Sequence, residues 1–304
     1  MANLAERKEM KLPRFSIIIP VYNDKKKLEK LLVSLEQQFC KDFEVLLVDD
    51  NSKDGSYELA QDYKAKYPLT VLRTKKNSGP AVARNMGIVK ALGRVLLFTD
   101  SDCLLPENWV ENYSQIMDKN FDIVTGKVKM LNSNLLGDSM SALGFPAGGS
   151  LGFDKMWKVE KDGSTIQIVT CNCAIRKKVF DLVGLFDETF PLPFGEDTEM
   201  SQRLLKKGYK IFYSPLVYIK HPPRSDLKSF LKWSFRRGRG VYHLKQKVKL
   251  DNFIKLRLWS MKNIVINALK TYRAPVILSL FFMYNILLQA GHLTESIKPT
   301  IKKR

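Results

Sequence analysis

The sequence has little with which to build a disulfide framework. Its 304 residues hold four cysteines, Cys40, Cys103, Cys171 and Cys173, and no C-x-x-C pair. The Cys171-Asn-Cys173 spacing suits neither a zinc knuckle nor a redox motif, so all four are read as reduced thiols of a cytosolic compartment. No apolar h-region accompanies the mixed charges of Met1 to Arg14; no secretory signal is visible, and the main domain is expected on the cytoplasmic side. No G-x-G-x-x-G follows any apolar run, which disfavours a dehydrogenase. Internal repeats and low-complexity tracts are also missing, which excludes a repeat array.

What is present suits one large α/β domain with an appendage: 45% of the residues are hydrophobic, an ordinary share for a globular core. The net charge of +19 is unevenly placed. From Arg224 onward lie 18 of the 50 Lys and Arg residues but only 3 of the 31 Asp and Glu. The basicity therefore belongs to the tail. A basic segment beside apolar residues is what anionic lipid head groups attract, whereas a nucleic-acid binder carries its positive charge on the folded domain. An anionic membrane surface is the expected partner, and nucleic acid is disfavoured.

The stretch that organises the chain is Val95-Leu96-Leu97-Phe98-Thr99-Asp100-Ser101-Asp102. An apolar run reads as a buried strand, and two carboxylates follow where the chain leaves the sheet. In open α/β sheets ligands gather beyond the carboxyl ends of the strands, and paired carboxylates there suit Mg²⁺ or Mn²⁺ with phosphate oxygens completing the shell. The alternative is a solvated turn. Upstream, Phe15 to Pro20 predicts a strand and Leu28, Leu31, Leu32 and Leu35 a helix, with Asn23 or Asp24 as its side-chain cap. Phe43 to Val48 is a second strand ending in Asp49-Asp50-Asn51-Ser52, followed by a helix from Gly55-Ser56 through Tyr67. Leu69 to Arg73 is a third strand, and Ser78-Gly79-Pro80 opens a helix that Gly93 stops. The βαβ rhythm implies a mostly parallel sheet covered on both faces. Three of its loops, at Tyr22-Asn23-Asp24, Asp49 to Ser52 and Asp100 to Asp102, are expected to form one polar cleft.

Beyond Phe121 the pattern loosens: a strand near Asp122 to Met130, a Gly-rich stretch at 144–149, a strand near Ile166 to Ile175, and long loops expected on the acceptor side. Phe194-Gly195-Glu196-Asp197-Thr198-Glu199 starts a helix ending at Gly208; its acids either complement the helix dipole or face the cleft. Tyr209 to Ser214 is a last strand, and His221-Pro222-Pro223 closes the regular domain. Next, Leu227, Phe230, Leu231, Trp233 and Phe235 interleave with Lys228, Lys232, Arg236, Arg237 and Arg239, as in a helix lying on a membrane or packed on a domain. Ala274 to Ala290 is almost wholly apolar, at the short end of a membrane span. Spanning, lying half-buried and docking on protein all stay open for it.

Six stretches resemble the family-2 glycosyltransferases of the GT-A fold: Ser16 to Asn23, Val48 to Ser56, Gly79 to Ile88, Asp100-Ser101-Asp102, Gly184 to Glu188, and Gly195-Glu196-Asp197. They keep the family's order and cover Phe15 to about Arg239. The resemblance implies a GT-A domain over residues 15–223, after a tail of 1–14 and before a basic helical extension, 224–304, with an anchor at about 274–292. It further implies that Pro20 and Tyr22 border the nucleotide base and that Asp50 accepts from its ring N–H. Arg84 is expected near the diphosphate or ribose, and Asp100 near the ribose and metal. Asp102 is the expected ligand of Mg²⁺ or Mn²⁺, and His221 a further one. Asp197 is the expected catalytic base.

These roles make chemical sense together. A nucleoside diphosphate leaves only if its growing charge is stabilised, and an aspartate opposite it can take the acceptor's proton, giving inversion in one displacement. The expected substrates are a nucleotide-diphosphate sugar donor and a lipid-linked or glycan acceptor. Two readings compete. A nucleotide-sugar-forming nucleotidyltransferase would usually place a Gly-rich basic loop where Pro20-Val21-Tyr22-Asn23 stands, and a non-catalytic membrane scaffold would have no use for Asp102 and Asp197.

Overall fold

The computed structural model describes residues 12–143, 159–190, 194–248 and 253–298. The Gly-rich stretch at 144–149 lies outside them.

Strand β1 (Phe15–Val21) and helix α1 (Lys25–Glu36) are followed by β2 (Phe43–Asp49), α2 (Ser56–Asp62), β3 (Leu69–Arg73), α3 (Pro80–Lys90) and β4 (Val95–Thr99). These four strands pair in parallel in the order β3-β2-β1-β4. Every residue of β2 and β4 is buried, as continuous apolar runs covered on both faces require. One face packs against Leu28, Leu31, Leu32 and Leu35 of α1, the other against Ala81 and Ile88 of α3. Helix α2 stops at Asp62, short of the expected Tyr67, because Tyr63 turns to an extended conformation and Tyr67 is drawn into the core to donate to the Leu32 carbonyl.

The second half adds α4 (Trp109–Met117), β5 (Ile123–Met130), α5 (Leu135–Ser141), β6 (Ser164–Thr165), β7 (Asn172–Arg176), α6 (Lys178–Val183), α7 (Glu196–Lys206) and β8 (Ile211–His221). The full sheet runs β3-β2-β1-β4-β7-β5-β8-β6, with β7 wedged antiparallel between β4 and β5. Of the strand expected over Ile166 to Ile175, only the part from Asn172 onward (β7) joins the sheet, while Ser164–Thr165 (β6) pairs separately with β8. The stretch before β7 is taken out of the ladder because the Ile168 N–H bonds to Ser201 Oγ and the Val169 N–H to Thr125 Oγ1. Asn172 pins the junction, accepting from Trp109 Nε1 and Tyr113 Oη and donating to the Lys127 and Val217 carbonyls. Strand β8 outruns its expected end at Ser214: after a register shift at Gly126/Lys127 it pairs with β5 as far as His221. All four cysteines are free thiols.

Three helices complete the chain: α8 (Leu227–Lys247), α9 (Phe253–Ala268) and α10 (Ala274–Ser296). Asp226 caps α8 by accepting from Ser229 N at 2.7 Å. Phe190, Leu244 and Val248 form a small core that seats α8 on the sheet domain. Among the described residues, α10 is the one helix long and apolar enough to cross a membrane, and only 22% of its apolar window is buried.

Candidate active site

The parallel register sets Val21 beside Asp49 and Ile18 beside Phe98, so the loops after β1, β2 and β4 leave one edge together. They are tied by their own polar groups. Asn23 N and Asp24 N donate to Ser52 Oγ and Ser56 Oγ (2.9 and 3.0 Å), Lys53 N to Asn23 Oδ1 (2.7 Å), and Ser101 Oγ to Asp24 Oδ2 (2.9 Å). The three acidic loops thus form one framework. Asp24 stands at the N-cap of α1, but its side chain does not cap: the carboxylate is taken by Ser101 and Lys27, and its backbone carbonyl receives the Lys27 and Leu28 N–H groups.

Asp50 is buried at the end of β2. It accepts from Ser78 N (2.8 Å), Thr74 Oγ1 (2.8 Å) and Gly79 N (2.7 Å), which leaves about one of four lone-pair directions, on Oδ2. Pro20, which pairs with Val48 on the neighbouring strand, is half-buried, and Tyr22 is 48% exposed.

Arg84 lies on the inner face of α3, 4% exposed. Its Nη2 donates to Asp100 Oδ1 at 3.1 Å and its Nη1 to Glu196 Oε1 at 3.0 Å. Burial alone would lower the guanidinium's affinity for its proton, but the charges of Asp100 and Glu196 raise it above its ordinary value. This one side chain joins the acids after β4 to the acids at the start of α7. The sequence offers Glu196 only as one of the acids after Gly195 that could face the cleft; its pairing with Arg84 is set by the fold.

The turn before α7 needs its glycine. Gly195 has φ +101°, and a β-carbon there would press on the Phe190 ring. Of the first-turn acids, Glu199 is bound to Arg203 (2.7 Å) along the helix, and Glu196 to Arg84. Asp197 is half-buried and accepts from Thr198 N at 2.7 Å. Burial raises its pKa, against the opposing pull of the Thr198 N–H and the charges of Arg84 and Arg237. Glu196 is raised by burial and by the charge of Asp197.

Asp102 and His221 meet although 119 positions separate them. Leu104 and Lys220 form an antiparallel bridge with N–H···O distances of 2.8 and 2.9 Å, and that short ladder sets His221 Nε2 3.3 Å from Asp102 Oδ1. His221 Nδ1 is 2.7 Å from the Pro222 carbonyl, which can only accept, so Nδ1 carries the proton. In that tautomer the Nε2 lone pair points at a carboxylate oxygen. Two acceptors facing each other at that distance form a donor pair that a metal ion between them would use. Asp102, His221 and the thiol of Cys103 offer donor atoms within 4.8 Å of one another. The Cys103 thiol, hydrogen-bonded to Cys171, is pushed up by burial and by Asp100 and Asp102, which leaves the oxygen and nitrogen donors as the fit for a hard divalent ion. Lys27 Nζ, 3.5 Å from Asp102 and 3.4 Å from Asp24, partly offsets the charge of both acids.

The structure therefore groups Asp100, Arg84 and the Glu196-Asp197 turn, groups Asp102 with His221, and joins both to the β1 and β2 loops through Ser101 and Lys27. A family model described as glycosyl transferase family 2 matches residues 16–184. Glycosyltransferase AglE of Haloferax volcanii is 30% identical over 259 residues, covering 82% of this chain and 80% of that protein. The poly(ribitol-phosphate) beta-glucosyltransferase of Bacillus spizizenii is 36% identical over 132 residues; that match spans 42% of this chain and only 21% of the longer protein. Among solved structures, the mannosyltransferase PcManGT from Pyrobaculum calidifontis, in complex with GDP-Man and Mn²⁺, superposes with a TM-score of 0.57 at 18% identity, over 95% of this chain and 82% of that one. Residues 1–349 of TarS from S. aureus, in complex with UDP, give 0.54 at 19% identity, over 93% and 91%.

Proposed function

Because the chain belongs to glycosyl transferase family 2, we propose that it moves a sugar from a nucleotide-diphosphate donor to a hydroxyl of a lipid-linked or glycan acceptor, inverting the anomeric carbon, at the cytoplasmic face of a membrane. The catalytic domain in this reading is residues 15–223, and 224–304 is the extension that brings it to the membrane.

Pro20 and Tyr22 border the base, and the free lone pair of Asp50 accepts from its ring N–H. Asp100 lies toward the ribose and the ion, held in place by Arg84, which thereby acts on the diphosphate side of the site. Asp102 and His221, with Asp100 nearby, would hold Mg²⁺ or Mn²⁺, and an ion held there would stabilise the charge of the departing nucleoside diphosphate. Across the sugar, Asp197 accepts the proton of the acceptor hydroxyl as that oxygen attacks, and burial, which raises its proton affinity, strengthens it as a base. No residue is needed as a covalent nucleophile.

The observation that carries this reading is the bridge from Asp100 through Arg84 to Glu196, which brings the leaving-group acids and the turn bearing Asp197 to one place. PcManGT in complex with GDP-Man and Mn²⁺, and TarS with UDP-GlcNAc, supply the donor classes to try first. A panel of UDP- and GDP-sugars with Mn²⁺ or Mg²⁺ tests it by thermal stabilisation. Ligand at about 100 Kd adds about 2.7 kcal/mol, a rise of roughly 5–10 °C for a domain of this size. A panel in which no nucleotide sugar stabilises the protein with either ion rejects the reading, and a product that keeps the donor's anomeric configuration rejects inversion.

A further inference from the structure

Helices α8 and α10 lie side by side and run in the same direction. Phe230 shares a core with Ile277 and Leu280, Trp233 stacks on Tyr284 with ring centroids 6.0 Å apart, and Arg239 and His243 both reach Glu295, at 2.6 and 3.1 Å. The contacts advance together along both helices. At the crossing the backbones touch: a β-carbon on Gly238 would collide with the Leu288 carbonyl, and one on Gly291 with the Phe235 carbonyl. Burial would raise Glu295, but the hydrogen bonds from Arg239, Lys298 and His243 hold it at about 2, so the clamp stays charged at neutral pH.

This pairing decides what α10 can do. Were α10 to cross a bilayer, α8 would go with it, and α8 carries seven Lys and Arg residues and no acid. Each of these charges is strongly disfavoured at the bilayer centre. Helix α8 is also fixed to the catalytic domain, with Gly240 against the Phe194 ring and Arg237 4.4 Å over its face. The outward faces are sorted instead. On α10, Pro275, Phe282, Ile286 and Leu293 recur at helical spacing and are exposed; on α8, Lys228, Lys232 and Arg236 form an exposed cationic stripe one turn apart. Where the two helices begin opens a groove lined by six apolar side chains, Leu136, Leu227, Pro275, Val276, Leu280 and Met283, and by Ser279.

We infer that α8 and α10 form a two-helix platform that lies in the plane of an anionic bilayer, neither helix crossing it, with the apolar stripe among the acyl chains and the cationic stripe on the lipid phosphates. The inference rests on the membrane part of the reading above and narrows it. Arg236 faces the lipid, and the next residue, Arg237, about 100° further round the helix, faces the turn that bears Asp197, so the base lies close to the head groups. The acceptor is then a membrane lipid whose reacting hydroxyl sits just above the phosphate plane.

The test uses the full chain with Cys40→Ser and single spin-labelled cysteines at Ser279, Phe282, Ile286 and Leu293, floated with phosphatidylcholine vesicles with and without phosphatidylglycerol. The expected result is binding that requires the anionic lipid, with all four labels at one shallow depth. Lys228→Gln/Lys232→Gln/Arg236→Gln should weaken that binding on the order of 100-fold, from about 1 kcal/mol per basic residue near the surface, without changing stabilisation by donor. Labels deepest at Phe282 and Ile286 and shallow at the ends would show a span and overturn the platform alone. Binding indifferent to lipid charge overturns it too. A protein that floats with neither vesicle removes the membrane reading altogether.

Discussion

Arg84 Nη1 stands 3.0 Å from Glu196 Oε1, with both side chains almost completely buried, 112 residues apart in the chain. A charge pair so placed is worth little compared with an apolar pair of the same shape, but losing one member strands the other without water.

Arg84→Met should therefore cost about 3–5 kcal/mol by leaving Glu196 and Asp100 uncompensated, a fall in melting temperature on the order of 10 °C. The double variant Arg84→Met/Glu196→Gln should recover part of this loss. Chemical denaturation of the four members of the cycle measures the coupling; additive losses would show that the pair is not a unit.

Asp197→Asn should leave donor binding intact and reduce transfer by roughly 10²–10⁴, the usual contribution of a general base. The pH profile carries a sign. Since burial raises Asp197 above its ordinary value, the base is lost as pH falls through that raised value, and the acid limb of kcat/KM should lie above the range of an exposed aspartate. Arg237→Gln removes a charge that holds the proton affinity down, so it should move the same limb to still higher pH. A limb that does not move would mean that Arg237 leaves the base untouched.

Asp102→Asn and His221→Ala should each weaken divalent-ion binding in the presence of nucleoside diphosphate by more than the roughly 10–100-fold loss typical of an outer-sphere partner. Titration calorimetry with Mn²⁺ reads this directly. A chelator should abolish transfer by the wild-type protein, and added Mn²⁺ restore it.

Gly195→Ala should destabilise by about 1–3 kcal/mol, because alanine must adopt φ near +101° and its methyl meets Phe190. Urea unfolding gives the stability loss. The displaced turn should also lower kcat more than it raises the KM for donor, since the donor's own loops lie elsewhere.

The first four strands were legible because each short apolar run ends in turn chemistry and is followed by a helix with its own periodicity; Leu69–Arg73 and the Pro80 start of α3 fall where residue types alone place them. What lay beyond reading was pairing at a distance. Nothing in Asn172–Arg176 announces that it runs antiparallel between β4 and β5, or that Asn172 serves four partners. The site divides in the same way. Asp100, Asp102 and Asp197 stand out by type and spacing, whereas the link of Arg84 to Glu196 and the meeting of His221 with Asp102 exist only once β7 and β8 are docked. Membership of the family, with its sugar transfer from nucleotide sugars, disposes of the nucleotidyltransferase and scaffold alternatives. For the apolar segment, composition left three fates open, and it is the Gly238 and Gly291 contacts that bind it to α8.

The two hydrogen bonds between Leu104 and Lys220 set an order on biosynthesis. The loops after β1, β2 and β4 all lie in about the first third of the polypeptide, but a chain halted anywhere before residue 221 carries Asp100 and Asp102 without His221. Truncated translation products therefore lack the Asp102–His221 pair, and with it the ion site proposed above.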